Sequence, residues 1–279
     1  MGLINEYFSD HYFEYPTLEE GIEYIPDEMF KSSRISEIVI PKSVKRIGNK
    51  AFYDCQLLSK IIFEGDAIEL GASCFEHCIS LREIVLPKLQ VIPYACFKLC
   101  VYLKNVVLPN GLISIENSAF ENTDLERIDF PSTLLSIGSK AFKNCKLQEL
   151  DLKNVESLGD ECFYRNYFNK LYISSKITNI PSYAFYGCFG LKEVKIYTND
   201  EESFKRKITL QPYSFAQNPG LVIELPKEAY VSINAFYTVI RHSMFFSRNT
   251  ISASIIVRTP FNPQVIDMCK ENGYRCEII

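Results

Sequence analysis

A phenylalanine recurs along this chain at a nearly constant step. Phe30, Phe52, Phe75, Phe97, Phe120, Phe142, Phe163, Phe185, Phe215 and Phe236 are separated by 22, 23, 22, 23, 22, 21, 22, 30 and 21 residues. A unit this short cannot bury its own apolar side, whereas stacked units share one continuous core. A fixed step of this size is therefore the mark of a solenoid or another repeat array.

The surroundings of each Phe recur too. The residue before it is small: Ala51, Cys74, Cys96, Ala119, Ala141, Cys162, Ala184, Ser214 and Ala235. Three residues after it stands Cys55, Cys78, Cys100, Cys145 or Cys188, with Thr123, Asn166 and Asn218 as substitutes. An apolar pair precedes it, as in Val44/Ile47, Leu112/Ile115, Leu134/Ile137 and Ile177/Ile180, followed in several units by Gly48, Gly71, Gly138 or Gly159. A strand-like block follows it: Leu58–Phe63, Leu81–Leu86, Leu103–Leu108, Leu125–Phe130, Leu147–Leu152, Phe168–Ile173 and Leu191–Ile196.

These blocks alternate with a period of two, which predicts strands with one inward and one outward side. Pro41, Pro87, Pro109, Pro131 and Pro226 close several of them, because proline cannot donate to a ladder. The Phe rings are expected to stack as an interior spine, with the small neighbour leaving room. The glycines after the apolar pair are expected at turns of positive φ. One strand per unit and this unit length fit the leucine-rich repeat range of about 20–29 residues.

The units VKRIGNKAFYDCQLLSKIIF (Val44 to Phe63) and LLSIGSKAFKNCKLQELDL (Leu134 to Leu152) resemble the BspA-like leucine-rich repeat family. The family motif reads roughly I-x-x-I-G-x-x-A-F-x-x-C-x-x-L-x-x-I-x-L-P, and the likeness runs from about Tyr24 to Tyr237. The resemblance implies a right-handed solenoid, α/β to mainly β, of about ten coils with one parallel strand per coil and a parallel sheet on one face. It also implies a surface or secreted protein that acts in adhesion or binding. Met1 to Asp10 has no basic region followed by an apolar core, so it does not read as a secretory signal, which leaves a cytoplasmic placement open.

The expected organisation is an N-terminal cap over residues 1–24, the solenoid over 25–240 and a C-terminal cap over 241–279. Tyr7, Phe8, Tyr12, Phe13 and Tyr15 lie near helical spacing in the first part. In the last, Ser254–Pro260 reads as a strand and Tyr274–Ile279 as another. Between them Pro263–Glu271 reads as a helix, with Asn262 as N-cap and Gly273 just past its end. The 30-residue interval holds an insertion near Thr198–Lys207, expected to loop out of one coil.

Composition narrows the function. The net charge is −4, from 30 basic against 34 acidic residues, which argues against nucleic acid as a partner. No apolar run approaches the roughly 18–20 residues of a membrane span. Cys74/Cys78 and Cys96/Cys100 invite a zinc reading. Repeat registry favours a simpler one, in which these thiols face inward, stay reduced and act as small apolar groups. The histidines are His11, His77 and His242, with His77 expected in a solvated turn. No G-x-S-x-G, H-E-x-x-H, Walker or G-x-G-x-x-G motif is present. The chain thus reads as non-catalytic, with no cofactor and no metal.

The outward strand positions form two columns. The first reads Glu37, Lys60, Glu83, Asn105, Arg127, Glu149, Lys170, Glu193, with signs that alternate along most of it and so suit cross-strand pairing. The second reads Val39, Ile62, Val85, Val107, then Asp129, Asp151, Tyr172, Lys195. Four successive apolar residues on an outward face are unusual for a solvated surface. They are read in two ways: β-branched residues that suit a sheet or lie under the N-terminal cap, or a stripe that binds a partner. The candidate ligand-binding set is therefore Val39, Ile62, Val85, Val107, Asp129, Asp151 and Tyr172. The expected partner is a protein, with a glycan as a further option. The alternative is a structural or self-associating surface protein without a dedicated ligand.

Overall fold

The structure, a computed structural model, describes residues 18–196, 207–226, 228–232, 234–236 and 255–279. The chain winds as a parallel β-solenoid, and the Phe column is its axis. Ring centroids of successive Phe from Phe30 to Phe215 lie 5.1–5.6 Å apart, with planes within 13° of parallel. Phe236 continues the column at 6.1 Å from Phe215. The column thus passes unbroken over the 30-residue interval between Phe185 and Phe215. All ten rings are buried. Offset stacks of this kind are worth about 0.5–1.5 kcal/mol per pair beyond the area they bury.

One side of the solenoid carries the predicted strands. They are β1 (Glu37–Ile40), β2 (Lys60–Phe63), β3 (Glu83–Val85), β4 (Asn105–Val107), β5 (Asp151–Leu152), β6 (Lys170–Ile173), β7 (Glu193–Ile196), β8 (Val222–Glu224), β9 (Ile256–Thr259) and β10 (Arg275–Ile278). This face is not one continuous sheet. β1 pairs with β2, β3 with β4, and β5 to β10 form a six-stranded sheet, all parallel. The expected strand at Leu125–Phe130 does not form, and that at Leu147–Leu152 shrinks to its last two residues. Strand length follows the second outward column. Blocks with Val39, Ile62, Val85 or Val107 there give three or four strand residues. The blocks with Asp129 and Asp151 give none and two, and Tyr172 restores four. Aspartate is disfavoured on a pleated surface and β-branched or aromatic residues are favoured.

The apolar pair of each coil forms a second, shorter ladder. Tyr24–Ile25, Arg46–Ile47 and Glu69–Leu70 pair in one group, and Val91–Ile92, Ser114–Ile115, Ser136–Ile137 and Ser157–Leu158 in another. Gly48, Gly71, Gly138 and Gly159 follow this ladder, and none has positive φ, contrary to expectation. Their reason is contact between coils. A Cβ at Gly138 would sit 2.6 Å from the backbone nitrogen of Asn117, and one at Gly159 would collide with that of Ser139.

From Phe30 to Phe215 the left-handed positions lie instead two residues before and two after each Phe, all on non-glycine residues except Gly187. Examples are Lys50 and Asp54, Ser73 and His77, Ala95 and Leu99, and Lys140 and Asn144. Such residues cost roughly 1–2 kcal/mol each. Hydrogen bonds between coils offset this: Lys50 N–H donates to Ala72 O at 2.9 Å, Phe52 N–H to Cys74 O at 2.8 Å, and Asp54 N–H to Glu76 O at 2.8 Å. His77 therefore sits in a constrained slot, with Nδ1 2.7 Å from Asp54 Oδ1.

The expected C-terminal helix forms as α1 (Pro263–Asn272). Asn262 accepts from Val265 N–H at 3.3 Å, and Gly273 closes the helix at φ 68°. Its own Val265, Met268 and Cys269 form the buried face. At the other end Ile25 already pairs with Ile47, and Leu18 is buried in the core. The rest of the expected N-terminal cap, residues 1–17, lies outside the described residues, as do positions 198–206 of the expected insertion.

Candidate functional site

The repeat fixes where each candidate side chain stands. In β1 to β4 the middle residue points inward: Ile38, Ile61, Ile84 and Val106 are all buried. Their neighbours in the second column must then point out. Val39 is 41% exposed, Ile62 40%, Val85 66% and Val107 55%. Cross-strand pairing sets Val39 beside Ile62 and Val85 beside Val107.

β2 and β3 lie side by side without pairing in one ladder. A shallow depression of about 900 Å³ spans this interruption, lined by Ile62, Val85 and Val107 among others. Lys60, Arg82 and Lys104 also line it, as do Glu37 and Glu83, so charge of both signs rims an apolar floor. The side chain of Lys60 lies 3.8 Å from Glu37.

Asp129, Asp151 and Tyr172 occupy a different place. They line a depression of about 420 Å³ together with Arg127, Glu149 and Lys170, where the ladder thins. Arg127 pairs with Glu149 at 3.4 Å, Lys170 with Glu193 at 3.2 Å, and Asp151 with Lys153 at 3.7 Å. The candidate set therefore divides into an apolar half and a charged half rather than forming one site. The first outward column pairs at Glu37/Lys60, Arg127/Glu149 and Lys170/Glu193, exposed except for the half-buried Glu193, and worth about 0–1 kcal/mol each.

A second set of exposed apolar residues escaped the column argument. Leu57 (47% exposed) and Tyr102 (54%) lie at the corner just before β2 and β4, and Arg82 lies 5.8 Å from the Tyr102 ring centre. Tyr167 and Phe189 hold the corresponding corner farther along, with ring centres 6.0 Å apart. The signal for them was the pair of residues between the Cys slot and the following Leu, as in Cys55-Gln56-Leu57-Leu58 and Cys100-Val101-Tyr102-Leu103. Arg82 both lines the larger depression and lies over the Tyr102 ring, so it stands between the depression and this corner.

The thiols are free, and all but Cys276 are buried. Those in the Cys slot do more than fill space. Cys55, Cys78, Cys100, Cys145 and Cys188 each donate Sγ–H to the carbonyl of the Phe one coil earlier, at 2.9, 3.2, 3.1, 3.2 and 3.3 Å. Asn166 and Asn218 do the same through Nδ2, each at 2.8 Å. Thr123 instead donates to Phe120 of its own coil at 3.0 Å. The slot thus selects a small hydrogen-bond donor, which corrects the reading of these cysteines as purely apolar. Burial raises their pKa values, to about 12 for Cys145 and Cys188. Cys74 and Cys96, in the small-residue slot, lie with their sulfurs 3.4 Å apart. Among the described residues, no three His, Cys, Asp or Glu side chains converge as a metal site would require, and no helix is long and apolar enough to cross a membrane.

Comparison with known proteins agrees with this geometry. The family described as BspA type Leucine rich repeat region matches residues 3–105 and 90–221, in six copies. A leucine-rich repeat protein from Bacteroides ovatus superposes with a TM-score of 0.66 at 24% identity, covering 94% of this chain and 71% of that one. The pneumococcal vaccine antigen PcpA superposes with a TM-score of 0.52 at 17% identity, covering 92% and 85%. At these identities the likeness shows the fold alone. No curated protein matches the chain. With family units recurring over most of its length, the chain belongs to the BspA-type leucine-rich repeat family.

Proposed function

We propose that the sheet-bearing face of this solenoid is a non-catalytic recognition surface for a protein partner, seated on Ile62, Val85 and Val107. The observation that carries this reading is the exposure of four stacked Val and Ile side chains, 40–66%, around an interruption in the sheet. The need for β-branched residues in the strands does not account for it by itself, because Thr satisfies that need without exposing apolar area. An apolar floor with charged groups at its rim is the usual anatomy of a protein interface. Display at the cell surface, which the family resemblance implies, completes the proposal. Adhesion is the role it would serve there.

The test is capture of a partner by immobilised protein, comparing wild type with Ile62→Lys/Val85→Lys and with Ile62→Thr/Val85→Thr. The Thr pair retains β-branching, so its thermal midpoint should stay near that of wild type. Loss of the captured protein with both variants supports the reading. Equal capture by all three contradicts it.

A further inference from the structure

We propose that β10 is the pairing edge for a second copy of this chain, through an antiparallel two-fold contact centred on Cys276. β10 closes one side of the six-stranded sheet, and among the described residues its one ladder partner is β9. Arg275 N–H donates to Ile255 O at 3.1 Å, and Ile279 N–H to Thr259 O at 3.2 Å. Backbone groups alternate sides along a strand, so those of Cys276 and Ile278 turn to the open edge. Ile278 is 61% exposed and Ile279 59%. An open edge with exposed apolar side chains is a template for another strand.

The order of residues selects the occupant. A two-fold axis at Cys276 sets Arg275 of each copy directly opposite Glu277 of the other, so two opposite-charge pairs form on one face. On the other face the same register sets Tyr274 opposite Ile278 twice. Moving the axis by one residue, to Glu277, would oppose two like carboxylates, which is destabilising. The sequence Tyr274-Arg275-Cys276-Glu277-Ile278 is therefore self-complementary in one register, as an isologous contact requires. Within one copy Glu277 already lies 2.9 Å from Arg275 and 2.8 Å from Arg258, so its carboxylate is held at this edge in a fixed position.

Sedimentation velocity on the full chain tests the proposal, with circular dichroism confirming that each variant is folded. Wild type should be a dimer. Arg275→Glu should weaken it at least tenfold, because two carboxylates then face each other on each side, and Arg275→Glu/Glu277→Arg should restore it. Ile278→Pro should give a folded monomer, since the lost N–H is the one turned to the open edge, where proline is tolerated. A monomeric wild type overturns the proposal. So does a dimer that survives both Arg275→Glu and Ile278→Pro, or one that the charge swap fails to restore.

Discussion

The thiol of Cys78 donates to the carbonyl oxygen of Phe52, 3.2 Å away and one coil earlier. That bond ties the two repeated positions together: the ring forms the axis, and the donor three residues after it satisfies the backbone that carries the preceding ring. Phe52 O also accepts from Cys55 N–H at 3.3 Å, so the thiol is its second donor, and a hydrogen bond of this kind contributes about 0.5–1.5 kcal/mol. Cys78→Val should therefore destabilise the chain by about that much more than Cys78→Asn, since asparagine makes the same inter-coil bond in this slot at positions 166 and 218. Equilibrium denaturation of the two variants measures the difference. Equal stabilities would mean the slot is filled for size alone.

The interior rings set a second expectation. Phe97 is stacked on Phe75 at 5.5 Å and on Phe120 at 5.3 Å and is fully buried. Phe97→Ala should lower stability by about 3–5 kcal/mol, the range for emptying an aromatic site in a core. Phe236→Ala, at the looser 6.1 Å step, should cost less. Thermal and denaturant unfolding of the two variants provides the comparison.

Alkaline pH should weaken the fold. Burial raises the Cys145 and Cys188 thiols from 9.0 to about 12, so the folded chain keeps protons that the unfolded chain releases. A folded pKa above the unfolded one gives stability that is complete below about pH 9 and lost as pH rises toward 12. The thermal midpoint should begin to fall near the lower value, and Cys145→Thr/Cys188→Thr should flatten that fall. An unchanged slope in the double variant would refute this origin.

Glycine at the inter-coil contact makes a fourth prediction. A Cβ at Gly138 would approach both Asn117 N and Asn117 Oδ1 to 2.6 Å, so one of the two coils must move. Gly138→Ala should destabilise by about 1–3 kcal/mol, as overpacking does. Were Gly138 conserving a turn of positive φ instead, Gly138→Asn would be tolerated better than Gly138→Ala. The contact predicts the opposite order, because Asn adds the same Cβ and more bulk. Denaturation midpoints of the two variants decide between them.

Much of this fold was legible because the sequence states it repeatedly. Each Phe, each small neighbour and each strand block is an independent copy of one instruction, so the axis and the inward strand residues could be read directly. The C-terminal helix was legible from its ends, Asn262 and Gly273. What one unit means for the next was harder to see. The absence of positive φ at Gly48 and Gly138, and the hydrogen bond from each cysteine or asparagine of the Cys slot to the previous Phe carbonyl, depend on how closely two coils approach. Thr123, Asn166 and Asn218 hinted at that bond, since all three are donors. The break between β4 and β5 depends on Asp129 and Asp151 weakening strands that the repeat alone would extend. It is this division that separated the candidate residues into an apolar half and a charged half.

A photocrosslinking residue in place of Val85, compared with one in place of Lys98 on the turn side, tests the recognition face most directly. During partner capture the probe at position 85 should form a covalent adduct with the bound protein, and the probe at position 98 should form none. Adducts from position 98 alone, or from neither position while capture persists, would contradict the claim that the exposed Val and Ile column is where this solenoid meets its partner.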